Sequence, residues 1–78
     1  MKSEETTLID LPLHTKGYIE KINCTGNIRR RLLDLGLVEN TAITPILVSP
    51  SGDPRAFVVR NTLLAIRKED AAFIKIHF

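Results

Sequence analysis

Residues 27–37 read NIRRRLLDLGL, and they predict the one clear helix around which the rest of the chain is arranged. Ile28, Leu32 and Leu35 lie at positions i, i+4 and i+7, a spacing that puts apolar side chains on one face of an α-helix. We therefore predict a short amphipathic helix over about residues 27–36, with this apolar face packed into the core.

Both ends of this helix carry residues that commonly terminate helices. Asn27 is the expected N-cap, because its side-chain oxygen can accept a hydrogen bond from a free N–H of the first turn. Gly36 follows the last periodic residue, where a glycine in the left-handed conformation ends many helices. Leu37 should then fold back toward Leu32, which is the apolar contact that accompanies such an end.

Segments rich in β-branched and aromatic residues lie on both sides of the helix and predict short strands. Pro45 cannot donate a ladder hydrogen bond, so its strand should be an edge strand or contain a bulge. Residues 68–73 combine helix formers with early acidic residues, which predicts a helical turn. Together these elements indicate a mostly β fold, a small antiparallel barrel of about five strands. The strands are expected at 17–23, 41–48, 55–60, 63–66 and 74–78.

Turn residues separate the predicted strands. Residues 49–54 are the densest cluster of Pro, Ser, Gly and Asp, with Gly52 at its centre. Asn61 and Thr62 can form a tight turn, because asparagine tolerates positive φ. Residues 7–12 are apolar but end at a proline, so we expect an extended or turn-like segment, which we call the lead-in, that covers one end of the core like a plug.

Composition is that of one small globular domain. The chain has 78 residues and is 44% hydrophobic, so we expect a single domain over residues 7–78 behind a frayed segment 1–6. Eleven basic against nine acidic residues leave a net charge of +2, which supports nucleic-acid binding only weakly. A single cysteine, Cys24, fits a reducing compartment. No signal peptide or run of ~20 apolar residues is present, so we expect a cytoplasmic protein.

The sequence offers no recognisable catalytic or metal site. Cys24 and the two histidines show neither the local signature of a Cys-His nucleophile nor the ligand spacing of structural zinc. Asp53, Glu69 and Asp70 could hold a hard cation, but Asp53 more simply bonds its own turn and the other two favour a helix start. We expect no catalytic residue and no metal ligand.

Arg29, Arg30 and Arg31 are the unusual feature of the helix. With Asn27 as the cap they would occupy about the first turn, where the helix dipole is positive and disfavours cations by a few tenths of a kcal/mol each. Arg30 could pair with Asp34, although in the less favourable order. A solvated helix face and a binding surface for an acidic partner both fit this pattern.

Three motifs, in this order, resemble the FeoA-type ferrous-iron transport accessory proteins. They are RRRLLDLGL at 29–37, PSGDP at 50–54 and LAIRKEDA at 64–71, which match the RRRLLDLGL helix, P-x-GDP hairpin tip and LALRKEEA segment of that family. The resemblance runs from about Leu8 to Ile76. Asn40 and Asn61 stand where the family usually has glycine, and asparagine accepts positive φ best after glycine itself.

The resemblance implies an SH3-like barrel with the helix between its first two strands. It also implies a non-enzymatic cytoplasmic module that docks on FeoB, the membrane ferrous-iron permease with a GTP-binding domain, and modulates it. The chain would then meet the membrane only through this partner. A related barrel occurs in iron-dependent repressors of the DtxR type.

On this basis we assign Arg29, Arg30 and Arg31 to an electropositive docking face, and Asp53 and Arg55 to the hairpin tip beside it. One alternative is a small nucleic-acid-binding barrel, although the strands offer few aromatic residues for stacking bases. Another is an iron-responsive regulatory module that binds Fe²⁺ directly. No cofactor is otherwise expected, and self-association through a sheet edge remains open.

Overall fold

Six strands, two helices and one 3-10 helix follow one another along residues 6–78, the part of the chain that the computed structural model describes. The strands form one antiparallel sheet in the order β1-β6-β2-β3-β4-β5. The elements are β1 (Thr6–Thr7), the 3-10 helix (Leu8–Asp10), β2 (Gly17–Ile22), α1 (Gly26–Asp34), β3 (Ala42–Val48), β4 (Arg55–Val59), β5 (Thr62–Ile66), α2 (Lys68–Ala71) and β6 (Ile74–His77).

The mostly β, antiparallel fold predicted from the sequence is confirmed, with one strand more than expected. The additional strand is β1, where Thr6 pairs with Ile76 although the sequence grouped it with the frayed residues. The rest of that segment, residues 1–5, lies outside the described residues. The lead-in after β1 buries Leu8 and Leu11 completely, as a plug at one end of the core would.

The sheet curls around a single core. In β4, Phe57 and Val59 are buried while Ala56 and Val58 lie on the outer face, which is the alternation of a half-buried strand. The helix α2 directly follows β5 and contacts the 3-10 helix that directly follows β1, so the two edges of the sheet approach each other. The buried apolar residues are Leu8, Leu11, Ile19, Ile22, Leu32, Leu37, Ile43, Phe57, Val59, Ile66, Ala71, Ile74 and Ile76.

Helix α1 begins earlier than the sequence predicts. Thr25, not Asn27, is the N-cap residue: its backbone is still extended, with φ −133° and ψ 176°, and the helix begins at the next residue, Gly26. Asn27 therefore lies inside the first turn and does not cap the helix.

The other end of α1 is formed by Gly36, which has φ 95°. The N–H of Gly36 donates to the carbonyl of Leu33 at 2.9 Å, and the N–H of Leu37 donates to the carbonyl of Leu32 at 3.1 Å. These two bonds define a Schellman motif.

The buried face of α1 also differs from the predicted one. Leu32 is buried and Leu33 packs against the core, whereas Ile28 and Leu35 are 37% and 41% exposed. Because neighbouring helical residues are about 100° apart, a face centred between Leu32 and Leu33 leaves Ile28 and Leu35 roughly a quarter turn away. The prediction that Ile28 and Leu35 belong to the core is wrong.

Two strand features refine the sequence predictions. The register of β3 against β4 shifts between Pro45 and Leu47, so the proline lies at a bulge in an internal strand and not at an edge. The turn between β4 and β5 consists of Arg60 and Asn61, one residue earlier than predicted, with φ of 52° and 66°. Positive φ at both central residues is the geometry of a type I′ hairpin, whose twist matches that of the strands.

Candidate functional site

The three arginines lie in the middle of α1 and not at its start. With Gly26 as the first helical residue, Arg29 is the fourth and Arg31 reaches the last turn. Arg31 is therefore close to the negative end of the helix dipole, which favours a cation. The predicted electrostatic cost of three cations in the first turn is wrong, because the helix starts two residues before the expected position.

Each arginine has a different environment. Arg29 donates from Nη1 to the carbonyl of Ile22 at 3.2 Å, which ties α1 to the end of β2. Arg31 donates from Nη2 to Oδ2 of Asp70 at 2.9 Å. Arg30 is exposed and makes no hydrogen bond or ion pair within residues 6–78, and the suggested pair with Asp34 does not form there. Of the three arginines, Arg30 is the one that has no partner in the described part of the chain.

The bond between Arg31 and Asp70 joins α1 to α2. The side chain of Asp70 is 10% exposed, whereas that of Arg31 is 61% exposed. A nearly buried carboxylate requires a charged or hydrogen-bonded partner, so Asp70 fixes the end of the arginine while the stem stays in solvent. No local sequence pattern predicts this pair, because Arg31 and Asp70 are 39 residues apart. Its only local signal is an acidic residue placed directly before the apolar Ala71.

The hairpin tip between β3 and β4 is also tied to α2. Asp53 accepts a hydrogen bond at Oδ1 from the N–H of Lys68 at 2.8 Å, the first residue of α2. The side chain of Asp53 thus bonds a distant backbone N–H and not its own turn, contrary to the simpler sequence interpretation. Arg55 donates from Nη1 to the carbonyl of Leu11 at 3.1 Å, which holds β4 against the lead-in.

The four-residue helix α2 therefore connects two of the predicted site residues. Its first N–H binds Asp53 and its third residue, Asp70, binds Arg31. Arg29 and Arg55 are fixed elsewhere, on β2 and on the lead-in. The short helix α2 thus connects the hairpin tip to α1. A hydrogen bond to another part of the chain holds each of four charged side chains, those of Arg29, Arg31, Asp53 and Arg55.

Groups that support chemistry are sparse in the described part of the chain. No cluster of three or more His, Cys, Asp or Glu side chains with the geometry of a metal site occurs within residues 6–78. Cys24 is half-buried beside the core, and His77 stacks on Tyr18 with ring centroids 5.8 Å apart.

None of the helices within residues 6–78 has the length and apolar character that crossing a membrane requires.

The curled antiparallel sheet, with α1 inserted after β2, defines the chain as a small SH3-like domain. The sequence model of the FeoA domain matches residues 6–77, nearly all of the chain. The chain therefore belongs to the FeoA family, as the three sequence motifs suggested. This family is associated with ferrous iron transport.

Known relatives agree with this assignment. A fusion protein of Fe(2+) transport protein A and the Fe(2+) transporter FeoB from Porphyromonas gingivalis (strain ATCC BAA-308 / W83) is 32% identical over 66 residues, which are 82% of this chain and 8% of that protein. This chain therefore corresponds to a small part of that relative.

Solved structures show the same fold. The crystal structure of FeoA from Stenotrophomonas maltophilia in complex with zinc, a prokaryotic SH3-domain protein, is 31% identical with a TM-score of 0.81, covering 91% of this chain and 88% of that one. The FeoA protein from Chlorobium tepidum is 29% identical with a TM-score of 0.87, covering 94% and 70%.

Proposed function

We propose that this chain is a non-enzymatic cytoplasmic accessory module of ferrous iron uptake, which docks on and modulates a FeoB-type membrane permease and its GTP-binding domain. The observation that carries the proposal is the fusion of a similar segment to FeoB in one Porphyromonas gingivalis chain. Joining two domains raises their effective concentration for each other, which benefits domains that act together. The proposal assigns the chain no catalytic residue and no cofactor; Fe²⁺ is the cargo of the partner.

The charged surface around α1 supports electrostatic docking. Arg30 is exposed and free of partners within residues 6–78, so a carboxylate of the permease can pair with it without breaking an internal bond. In the proposal Arg29, Arg31, Asp53 and Arg55 belong to the same docking surface. Their internal bonds hold the surface in place and leave Arg30 as its most available charge.

Reversal of one charge tests this docking. Arg30→Glu should weaken binding to the cytoplasmic portion of the permease by about five- to tenfold, roughly 1 kcal/mol, because attraction becomes repulsion at an exposed site. The loss should shrink as salt is raised, since surface charges are screened. Isothermal titration calorimetry at two salt concentrations measures both effects.

The matched control is Lys16→Glu, the same change of charge at an exposed position in the loop before β2. This variant should bind like the wild-type chain, because net charge alone then changes and the α1 surface does not. Equal affinities of the wild-type chain and Arg30→Glu at every salt concentration would contradict docking through α1.

A further inference from the structure

Within residues 6–78, strand β5 lies at an edge of the sheet and pairs with β4 alone. Val59 pairs with Thr62 across the two-residue turn, so these two residues exchange hydrogen bonds. Antiparallel pairs alternate between bonded and non-bonded, which makes Leu63 and Ala65 members of non-bonded pairs. Their N–H and C=O groups therefore point away from β4, toward the open side.

The N–H and C=O groups of Leu63 and Ala65 thus form a free backbone edge. Among residues 6–78, no loop backbone or side chain donates to them or accepts from them. A free edge of this kind can bind an extended segment of another chain, with backbone hydrogen bonds supplying affinity and side-chain pockets supplying selectivity.

A groove runs beside this edge. A hollow of about 250 Å³ separates β5 from α1, with Leu35 on the helix side and Ala65 on the strand side. Leu35 is 41% exposed, and Leu63, two residues before Ala65 and on the same face of the strand, is 59% exposed, so apolar side chains are available beside an added strand. Arg31, Asp70 and Arg67 also line the hollow. Because Arg31 is paired with Asp70, Arg67 is the cation of this lining that has no ion-pair partner within residues 6–78.

Charge identifies the occupant. The edge is preceded by Arg60 and followed by Arg67 and Lys68. Pairing β5 with β5 of a second copy, in the register that uses all four free groups, would bring Arg60, in the turn of each copy, toward Lys68, at the start of α2 in the other. Like charges that are brought close together repel each other. Glu69 follows Lys68, and Asp53 accepts the backbone N–H of Lys68, so three cations face two carboxylates. The edge keeps a net positive charge, which a segment with carboxylates at its ends complements.

We propose that β5 is the docking strand for an extended segment from the cytoplasmic part of the permease, apolar in its middle and acidic at its ends. The segment adds to the sheet as a further strand, bonded to the backbone of Leu63 and Ala65 and covered on one side by Leu35. The inference rests on the proposed function, because the permease is the partner that function names.

A proline substitution tests the backbone contact. Ala65→Pro removes one outward N–H and no bond to β4, because proline is tolerated in an edge strand where its nitrogen faces away from the ladder. Ala65→Ser keeps the N–H and serves as the matched control. In titrations with the cytoplasmic portion of the permease, Ala65→Pro should bind about tenfold more weakly than the wild-type chain, and Ala65→Ser should bind like it.

Amide hydrogen exchange on the wild-type chain tests the same contact without a variant. Addition of the permease portion should slow exchange at Leu63 and Ala65, while Leu64, already bonded to β4, changes little. This measurement decides the question even if Ala65→Pro does not fold.

The outcomes separate the inference from the function it rests on. No binding of the wild-type chain would overturn both. Binding of the wild-type chain without protection of Leu63 and Ala65, or with equal affinity for a folded Ala65→Pro, would overturn the inference and leave the proposed function standing. Protection of these amides that grows with the concentration of the chain alone would identify a second copy as the occupant, and would also overturn the inference.

Discussion

Arg30 and Arg31 are adjacent in sequence and identical in chemistry, but the structure gives them different roles. Arg31 bonds the nearly buried carboxylate of Asp70, whereas Arg30 has no partner within residues 6–78. Removing one member of a buried charged pair leaves the other desolvated and unpaired, and this penalty exceeds the net benefit of the pair itself. Stability should therefore depend on one arginine and not on its neighbour.

Arg31→Ala should lower the free energy of unfolding by about 1–2 kcal/mol, toward the lower end because the arginine itself is largely solvated. Arg30→Ala, its matched control, should change it by less than about 0.5 kcal/mol. Urea denaturation at neutral pH measures both. Equal losses for the two variants would show that Asp70 does not need Arg31.

At the scale of elements, the end of α1 illustrates how one residue sets a boundary. Gly36 adopts φ 95° so that its own N–H and that of Leu37 can reach the last free carbonyls of the helix. A Cβ on Gly36 would meet no atom within 4 Å in the described chain beyond its immediate neighbours. The need for glycine at this position is therefore conformational and not a matter of space.

Gly36→Ala should destabilise the domain by about 1 kcal/mol, which is the cost of a left-handed backbone for a residue with a Cβ. Gly36→Asn should destabilise the domain less, because asparagine adopts the left-handed backbone conformation more readily than alanine. Thermal unfolding followed by circular dichroism compares the two variants. If both lose the same stability, a steric contact and not the backbone conformation would be responsible.

For the whole molecule, the lead-in closes the core where the two sheet edges approach each other. Leu11 is fully buried there, and its carbonyl accepts the bond from Arg55 of β4. A domain of this length has a total stability of roughly 4–12 kcal/mol, so one large cavity removes much of it. The short segment before β2 should therefore matter as much as any strand.

Leu11→Ala should lower the free energy of unfolding by about 3 kcal/mol, because it leaves a cavity in the core. Leu13→Ala, the same substitution two residues later at a side chain that is 42% exposed, should cost less than about 1 kcal/mol. Urea denaturation of both variants provides the comparison. A loss at Leu11 no larger than that at Leu13 would contradict the role of the lead-in as a plug.

The features that can be predicted before the fold is known are local ones. The spacing of leucines in α1, the stop at Gly36, the turn cluster at 49–54 and the alternation along the strands depend on neighbouring residues and on backbone geometry. The same local order of three motifs indicated the family. These signals were sufficient for the mostly β fold and for most element boundaries, to within one or two residues.

Which groups meet depends on the packing of the folded chain. Arg31 reaches Asp70, 39 residues later, and Asp53 reaches Lys68, because curling of the sheet brings α2 between the hairpin and the helix. The same packing turned the buried face of α1 toward Leu33 and exposed Leu35. Periodicity specifies that a helix has an apolar face, but the shape of the surface it packs against selects the residues that are covered, and no local pattern contains that shape.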